Sequence, residues 1–216
     1  MSIKAEYVAA LDLGQTRTRA LLAEAPAGGI DDGTRLRFLG LGEAESGGWI
    51  KGSLVDMEAA TISIREAVAR AEQMADGLVI ESALVGTGGA HLRSIGSHGG
   101  AMLSRAEPRE VTRKDILELM EEVRSVPLGH DREIIHVLPG EFILDGHGSI
   151  RDPQGLLGSH LAVHGHVLTG SAAAGRNLVA AVNRASLMVE TIAAESFVVG
   201  EALTSAEVPP CVAVPG

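Results

Sequence analysis

Apolar and polar positions change period several times along the chain. Tyr7–Leu13 is a short apolar run closed by Gly14-Gln15-Thr16-Arg17, and a second run, Thr18–Glu24, follows at once. Two such runs around a polar, glycine-containing turn predict a β-hairpin. Beyond a Gly/Asp loop at Gly28–Gly33, the residues Leu36, Phe38, Leu39 and Leu41 predict a third strand. Asp56 then stands as the N-cap of a helix from Met57 to about Asp76. Met57, Ala60, Ile64, Ala67, Val68, Ala71 and Met74 fall at helical spacing along it. Gly77 ends this helix, and Ala83-Leu84-Val85 predicts a buried strand, so the opening order is β-β-β-α-β.

The texture changes at Thr87, with the glycine pairs Gly88-Gly89 and Gly99-Gly100 and most of the histidines. Thr112 and Asp115, flanked by Val111 and Ile116, give a capping-box-like helix start with an apolar staple. Ile116, Leu119, Met120 and Val123 supply that helix's apolar face, while Glu133–Asp145 and His160–Thr169 read as strands. Helical spacing returns over Ala172–Ala185, followed by a strand near Leu187–Ala193 and a short helix from Ser196. Thr87–Gly165 thus reads as an α+β insert between two parts of a larger α/β unit. Pro209-Pro210 breaks the last helix and Cys211–Val214 opens a strand before Pro215-Gly216, which raises the expectation of a truncated chain.

Composition narrows the partners. The 216 residues carry a formal net charge of −10, which argues against a nucleic-acid groove, since phosphate binding rests on Lys/Arg neutralisation. Tyr7, Phe38, Trp49, Phe142 and Phe197 are the only aromatics against 27 glycines, so the core is aliphatic and single-strand stacking platforms are unexpected. The single cysteine, Cys211, cannot close an internal disulfide, which favours a cytoplasmic reading. No apolar run reaches the ~18 residues of a membrane helix, and Glu6 and Asp12 interrupt any signal-like start.

The chemistry candidates are few. In Ala10-Leu-Asp-Leu-Gly-Gln-Thr-Arg-Thr an aspartate ends a strand and is followed by a glycine turn with hydroxyls. That arrangement suits a phosphate clamp, with backbone N–H groups as an anion nest and Asp12 facing a hydrated Mg²⁺. A plain hairpin turn with a solvated aspartate is the competing reading. Gly86-Thr-Gly-Gly lacks the spacing of a dinucleotide fingerprint. His160, His164 and His166 alternate onto one strand face without cysteine or carboxylate between them, and read as surface or satisfied histidines. Cys211 reads as a buried or terminal thiol, and Asp31-Asp32 and Glu121-Glu122 as solvated charge.

The clamp at Asp12–Arg17 with its strand, strand and helix resembles the opening of the actin-like ATPase superfamily. Further stretches make the chain similar to the FtsA family of bacterial cell-division proteins. They are Trp49-Ile-Lys-Gly-Ser-Leu-Val-Asp-Met-Glu, Ala83-Leu-Val-Gly-Thr-Gly-Gly-Ala-His-Leu, Ser97-His-Gly, Asp152-Pro and His166-Val-Leu-Thr-Gly. The most specific is Asp131-Arg-Glu-Ile-Ile-His-Val-Leu-Pro-Gly-Glu-Phe-Ile-Leu-Asp-Gly. The likeness covers roughly residues 6–206.

The resemblance implies an α/β fold: an actin-like (ribonuclease-H-like) subdomain, 1A, over residues 1–86 and 166–195, interrupted by a small α+β SHS2 insert, subdomain 1C, at 87–165. Residues 196–216 would begin a truncated second half. It implies ATP and Mg²⁺ as the family's ligands, with Asp12 organising the metal through water and Gly14, Gln15, Thr16 and Arg17 forming the first phosphate loop. Gln15 and Arg17 stand where the family usually has Thr and Lys. It also implies contacts of the 87–165 insert with protomers and divisome proteins. FtsZ and membrane contacts, on the cytoplasmic face at the septum, belong to a full-length parent whose second phosphate loop, Asp-x-Gly-Gly-Gly-Thr, is absent here. Supplying one wall of a two-walled cleft, this chain alone is not expected to bind ATP tightly or hydrolyse it. The alternatives are a sugar-kinase-like phosphotransferase, which Asp12-x-Gly-x-Thr-x-Thr-Arg also resembles, and the actin-like pilus-assembly relative PilM.

Overall fold

The computed structural model describes residues 6–26 and 36–205; the expected Gly28–Gly33 loop and the Pro209–Val214 stretch lie outside them. The first seven elements are β1 (Glu6–Leu13), β2 (Arg17–Ala25), β3 (Arg37–Glu45), β4 (Trp49–Ile50), β5 (Ser53–Leu54), α1 (Met57–Met74) and β6 (Ser82–Thr87). Then come β7 (Arg93–Met102), β8 (Arg109–Glu110), α2 (Arg113–Arg124), β9 (Arg132–Leu144), β10 (His147–Ile150), β11 (Leu157–Gly158) and β12 (His160–Ser171). The series ends with α3 (Ala172–Arg184), β13 (Met188–Ala194) and α4 (Glu195–Ser205). They form two compact units, Met1–His91 with Ala173–Gly216, and Leu92–Ala172.

The first unit is a sheet of order β13-β6-β1-β2-β3. β1 and β2 form the expected antiparallel hairpin, with Asp12 opposite Arg19 and Leu13 opposite Thr18, while β6 runs parallel to β1. Alternation buries Ala9, Leu11 and Leu13 of β1 and Ala20 and Leu22 of β2 against Ile64, Ala67, Val68 and Ala71 of α1 and Leu178, Ala181 and Val182 of α3. Two of the glycines have a geometric reason: α1 lies almost on the backbone of β3. A Cβ on Gly42 would fall 1.7 Å from the Ala67 carbonyl oxygen, and one on Gly40 2.4 Å from that of Ala71. The Asp56 carboxylate caps α1 by accepting from the N–H groups of Glu58 and Ala59. Asp76 and Gly77 turn the chain out of the helix with positive φ.

The second unit is an antiparallel sheet of order β10-β9-β12-β7. Leu119 and Val123 of α2 pack on Leu161, Val163 and Val167 of β12 and on Phe142 and Leu144 of β9. Glycine again admits the helix, since a Cβ on Gly165 would meet Val123 Cγ1 at 2.8 Å. The capping box at Thr112–Asp115 is complete in both directions. Two strands of this sheet were not anticipated, nor was the short β8–β11 pair. β7 is Gly/Ser-rich and shows no apolar period, and β10 is only four residues long. Against an expected insert of 87–165, the compact unit runs Leu92–Ala172, because β12 passes unbroken through Gly165 and His166, paired on both sides.

Candidate functional site

The Gly14-Gln15-Thr16 turn of the hairpin is tight: a Cβ on Gly14 would fall 2.9 Å from the Arg17 carbonyl oxygen. Ser46, just past β3, fixes it twice. Its Oγ donates to the Gly14 carbonyl at 2.5 Å and its backbone N–H to that of Thr16 at 3.1 Å. The buried Thr18 hydroxyl lies 2.9 Å from the same Ser46 Oγ, so the turn is tied to the core beneath it.

This turn borders a cavity of about 410 Å³. Gly14 and Gln15 form one side, Gly86–Ala90 at and beyond the end of β6 another, and Trp49, Lys51 and Gly52 of the β4–β5 hairpin a third, with Glu195 at the start of α4. The hairpin tip is pressed onto the glycine loop, since a Cβ on Gly52 would fall 2.1 Å from the Gly88 carbonyl oxygen. Lys51 at the tip has φ +49°, a left-handed conformation costly for a side-chain-bearing residue and common where function holds it in place. Among the described residues no carboxylate pairs with Lys51. Trp49, 8% exposed, lines the cavity with an indole N–H that finds no acceptor among the described residues.

A second hollow of about 500 Å³ shares Gly86 and Glu195 with the first and includes Asp12, Arg19 and the apolar Leu21, Leu41, Val198 and Val199. Glu195 is half-buried, and a Cβ on Gly88 would meet its Oε2 at 2.4 Å, so only glycine leaves room for this carboxylate. Burial, and then the nearby Asp12 carboxylate, push the Glu195 carboxyl above its ordinary range.

The sequence-derived site residues divide accordingly. Gly14 and Gln15 line the cavity, and Asp12 lines the adjoining hollow. Thr16 and Arg17 line neither. The Arg17 guanidinium donates to Glu43 Oε1 at 2.7 Å, and Arg19 donates to Glu43 Oε2 at 2.8 Å and to Asp12 Oδ2 at 3.3 Å. The groups not picked out as ligands are Lys51, Trp49, Glu195 and Ser46. Lys51 sits on a hairpin of two-residue strands, too short for any period. Glu195 comes 183 residues after Asp12, and the parallel strands β1, β6 and β13 bring their ends together. His160, His164 and His166 are exposed on β12, and among the described residues no group of three or more metal-ligating side chains converges on one point. No described helix is long and apolar enough to cross a membrane.

Comparison with known proteins follows the same division. Residues 89–169 match the SHS2 domain inserted in FtsA. Cell division protein FtsA of Bacillus subtilis is 33% identical over 200 residues, covering 93% of this chain and 44% of that protein. FtsA of Pseudomonas aeruginosa is 34% identical over 192 residues, covering 89% of this chain and 44% of that protein. The chain therefore spans under half the length of these relatives. In solved structures, the PilM–PilN type IV pilus biogenesis complex contains a chain that superposes with a TM-score of 0.54 over 88% of this chain and 48% of its own, at 13% identity, and so shares the fold. With an SHS2 domain of the FtsA kind set into an actin-like α/β unit, and this sequence likeness on both sides of it, the chain belongs to the FtsA family of cell-division proteins.

Proposed function

We propose that the chain acts in cell division as FtsA does, with its first unit forming one wall of an Mg²⁺–nucleotide site and its second unit forming a contact surface. The phosphates of ATP lie against the Gly14–Gln15 turn and the Gly88–Gly89 loop, and Lys51 supplies the positive charge. Asp12 and Glu195 hold a hydrated Mg²⁺ through its water shell, as suits an ion that keeps several waters and takes few protein carboxylates. Thr16 belongs to the same turn. Arg17, which the resemblance put in the phosphate loop, is engaged by Glu43, and its role passes to Lys51. Nucleotide serves here as a conformational ligand rather than a substrate turned over.

One observation carries this reading: Lys51, a glycine-lined turn and two carboxylates converge on adjoining hollows at the ends of three parallel strands. In the whole protein the second unit contacts other protomers and divisome proteins. Links to FtsZ and to the cytoplasmic face of the membrane at the septum complete the proposal.

Trp49, the single tryptophan, reports on the cavity. Titration of the chain with ATP at fixed Mg²⁺ is expected to change its emission with saturation in the millimolar range. Asp12→Ala and Lys51→Ala each weaken binding about tenfold or more, which corresponds to about 1.4 kcal/mol. Emission that ignores ATP, or that responds identically with both variants, removes the nucleotide-wall reading.

A further inference from the structure

We propose that the exposed face of the second unit's sheet binds a late first-row transition-metal ion, of the Cu²⁺ type, between the imidazoles of His98 on β7 and His164 on β12. The strand register carries the proposal. β7 and β12 pair without a shift from His160↔Met102 to Thr169↔Arg93, and His164 lies directly opposite His98. The phase of the ladder follows from two bonds. The Leu103 N–H donates across to the Ser159 carbonyl at 2.8 Å, which turns the backbone N–H of residue 103 towards β12. Counting back in twos, 101, 99, 97, 95 and 93 are also bonded to β12, whereas 100 and 98 are not. In keeping with this, the Gly100 N–H is taken by Glu122 Oε2 of α2 at 3.1 Å. His98 and His164 are therefore a non-hydrogen-bonded pair, the kind with Cα atoms only ~4.5 Å apart and side chains closest together.

Both imidazoles stand on the solvent face. His98 and His164 are exposed, while Leu161, Val163 and Val167 of β12 are buried under α2 on the other side. On β7 the neighbours of His98 on this face are Gly96 and Gly100, so no side chain from that strand crowds the pair. Two neutral imidazoles on adjacent strands can each approach a common ion at the ~2.0–2.1 Å of a metal–nitrogen bond. Nitrogen donors and two open positions favour Cu²⁺, at the top of the divalent series, and disfavour the oxygen-seeking Mg²⁺ and Ca²⁺. With no third ligand converging from the described residues, water or a group from another molecule fills the remaining positions. His160 is the nearest other imidazole to Gly100, where a Cβ would lie 3.9 Å from its ring. His166 faces Gly96 across the ladder, and its Nδ1 lies 3.5 Å from Ser94 Oγ.

The test is a Cu²⁺ titration of the full chain with free glycine as competitor, read by calorimetry and by paramagnetic loss of amide NMR signals. One ion per chain should bind, with signal loss centred on residues 96–100 and 162–166. His98→Gln and His164→Gln should each weaken binding about tenfold or more. His160→Gln and His166→Gln should leave it within about twofold. Circular dichroism of the four surface variants should match the parent. Binding that persists in either pair variant, or falls as far in His166→Gln, overturns the assignment, as does the absence of saturable binding below about 1 mM.

Discussion

Each unit places a carboxylate in the first turn of a helix, and the two are treated in opposite ways. Asp115 of α2 accepts a bidentate pair from Arg109, at 2.6 and 2.8 Å, together with the Thr112 hydroxyl and backbone N–H. The Arg109 guanidinium, and after it Thr112, hold its carboxyl well below the usual carboxylate range against the opposing effect of burial. Glu195 of α4 has the same favourable position relative to the helix dipole. Burial and Asp12 nevertheless raise it, and among the described residues no basic group answers it. The second unit therefore uses the Asp115 carboxylate for its own fold. The first leaves Glu195, Lys51 and the Trp49 N–H unanswered around one cavity, the pattern expected of groups kept for a ligand.

The most severe way to break the comparison is to disturb the first unit alone. Gly42→Ala forces a methyl onto the Ala67 carbonyl, and a backbone obstacle cannot swing away as a side chain can. A loss of about 3 kcal/mol or more is expected. Urea unfolding followed by Trp49 emission should shift to lower denaturant, while amide protection across residues 92–172 holds. An unshifted Trp49 transition would show that α1 does not lie so close on β3.

Next in size is the acid response of the second unit. Because the folded carboxyl of Asp115 is depressed, the unfolded chain binds the extra proton first. Its contribution is complete above the unfolded value of about 3.9 and is lost as pH falls from there towards the lower folded value. Asp115→Ala also removes the reciprocal half of the capping box, with a cost of about 2 kcal/mol at neutral pH. Protection of the Arg113–Arg124 amides, relative to their intrinsic exchange rates, should fall below about pH 4 in the parent. Asp115→Asn should flatten that slope, and an unchanged slope would assign acid sensitivity elsewhere.

Glu195 has the opposite sign and a smaller size. With the folded carboxyl raised, the unfolded chain loses its proton first. Stability from this group is then present below the unfolded value and declines as pH rises through the folded one. Glu195→Gln should stabilise the first unit at neutral pH, by at most about 1 kcal/mol once solvent screening of a half-exposed group is allowed for. The same change should weaken the Mg²⁺ dependence of ATP binding. A variant less stable than the parent at pH 7 would mean that the carboxylate has a structural partner after all.

Most of the fold was legible because its elements are long enough to show a period. The β1–β2 hairpin, α1 with its Asp56 cap and α2 with its Thr112–Asp115 box all follow from local rules. β7 was not, because Gly96, Gly99 and Gly100 erase the alternation, and Gly99 is there for α2 to pack on. The candidate site was legible only where it is local. The Asp12–Gln15 turn is contiguous in sequence, whereas Glu195 reaches it by parallel pairing of β13 with β6 and β6 with β1. Gly42 and Gly165 show the same limit. Composition says that glycine matters, and only packing says which glycine lies under which helix.

The smallest expected effect concerns the residue on which sequence and structure part most clearly. Arg17 fits a phosphate loop by position, yet Glu43 holds it together with Arg19, with both arginine side chains about half exposed. Exposed ion pairs of this kind contribute little, so Glu43→Gln should change the stability of the first unit by less than about 0.5 kcal/mol. Its value lies in what it releases. Without the carboxylate, Arg17 keeps its length and charge but loses the contact that turns it away from the Gly14–Gln15 turn. If Lys51 is the cation of the cavity, ATP affinity read by Trp49 should stay within about twofold of the parent, since Arg17 borders neither hollow. A gain of tenfold in Glu43→Gln, abolished again by adding Arg17→Ala, would restore Arg17 to the phosphate loop and make Glu43 the group that restrains it.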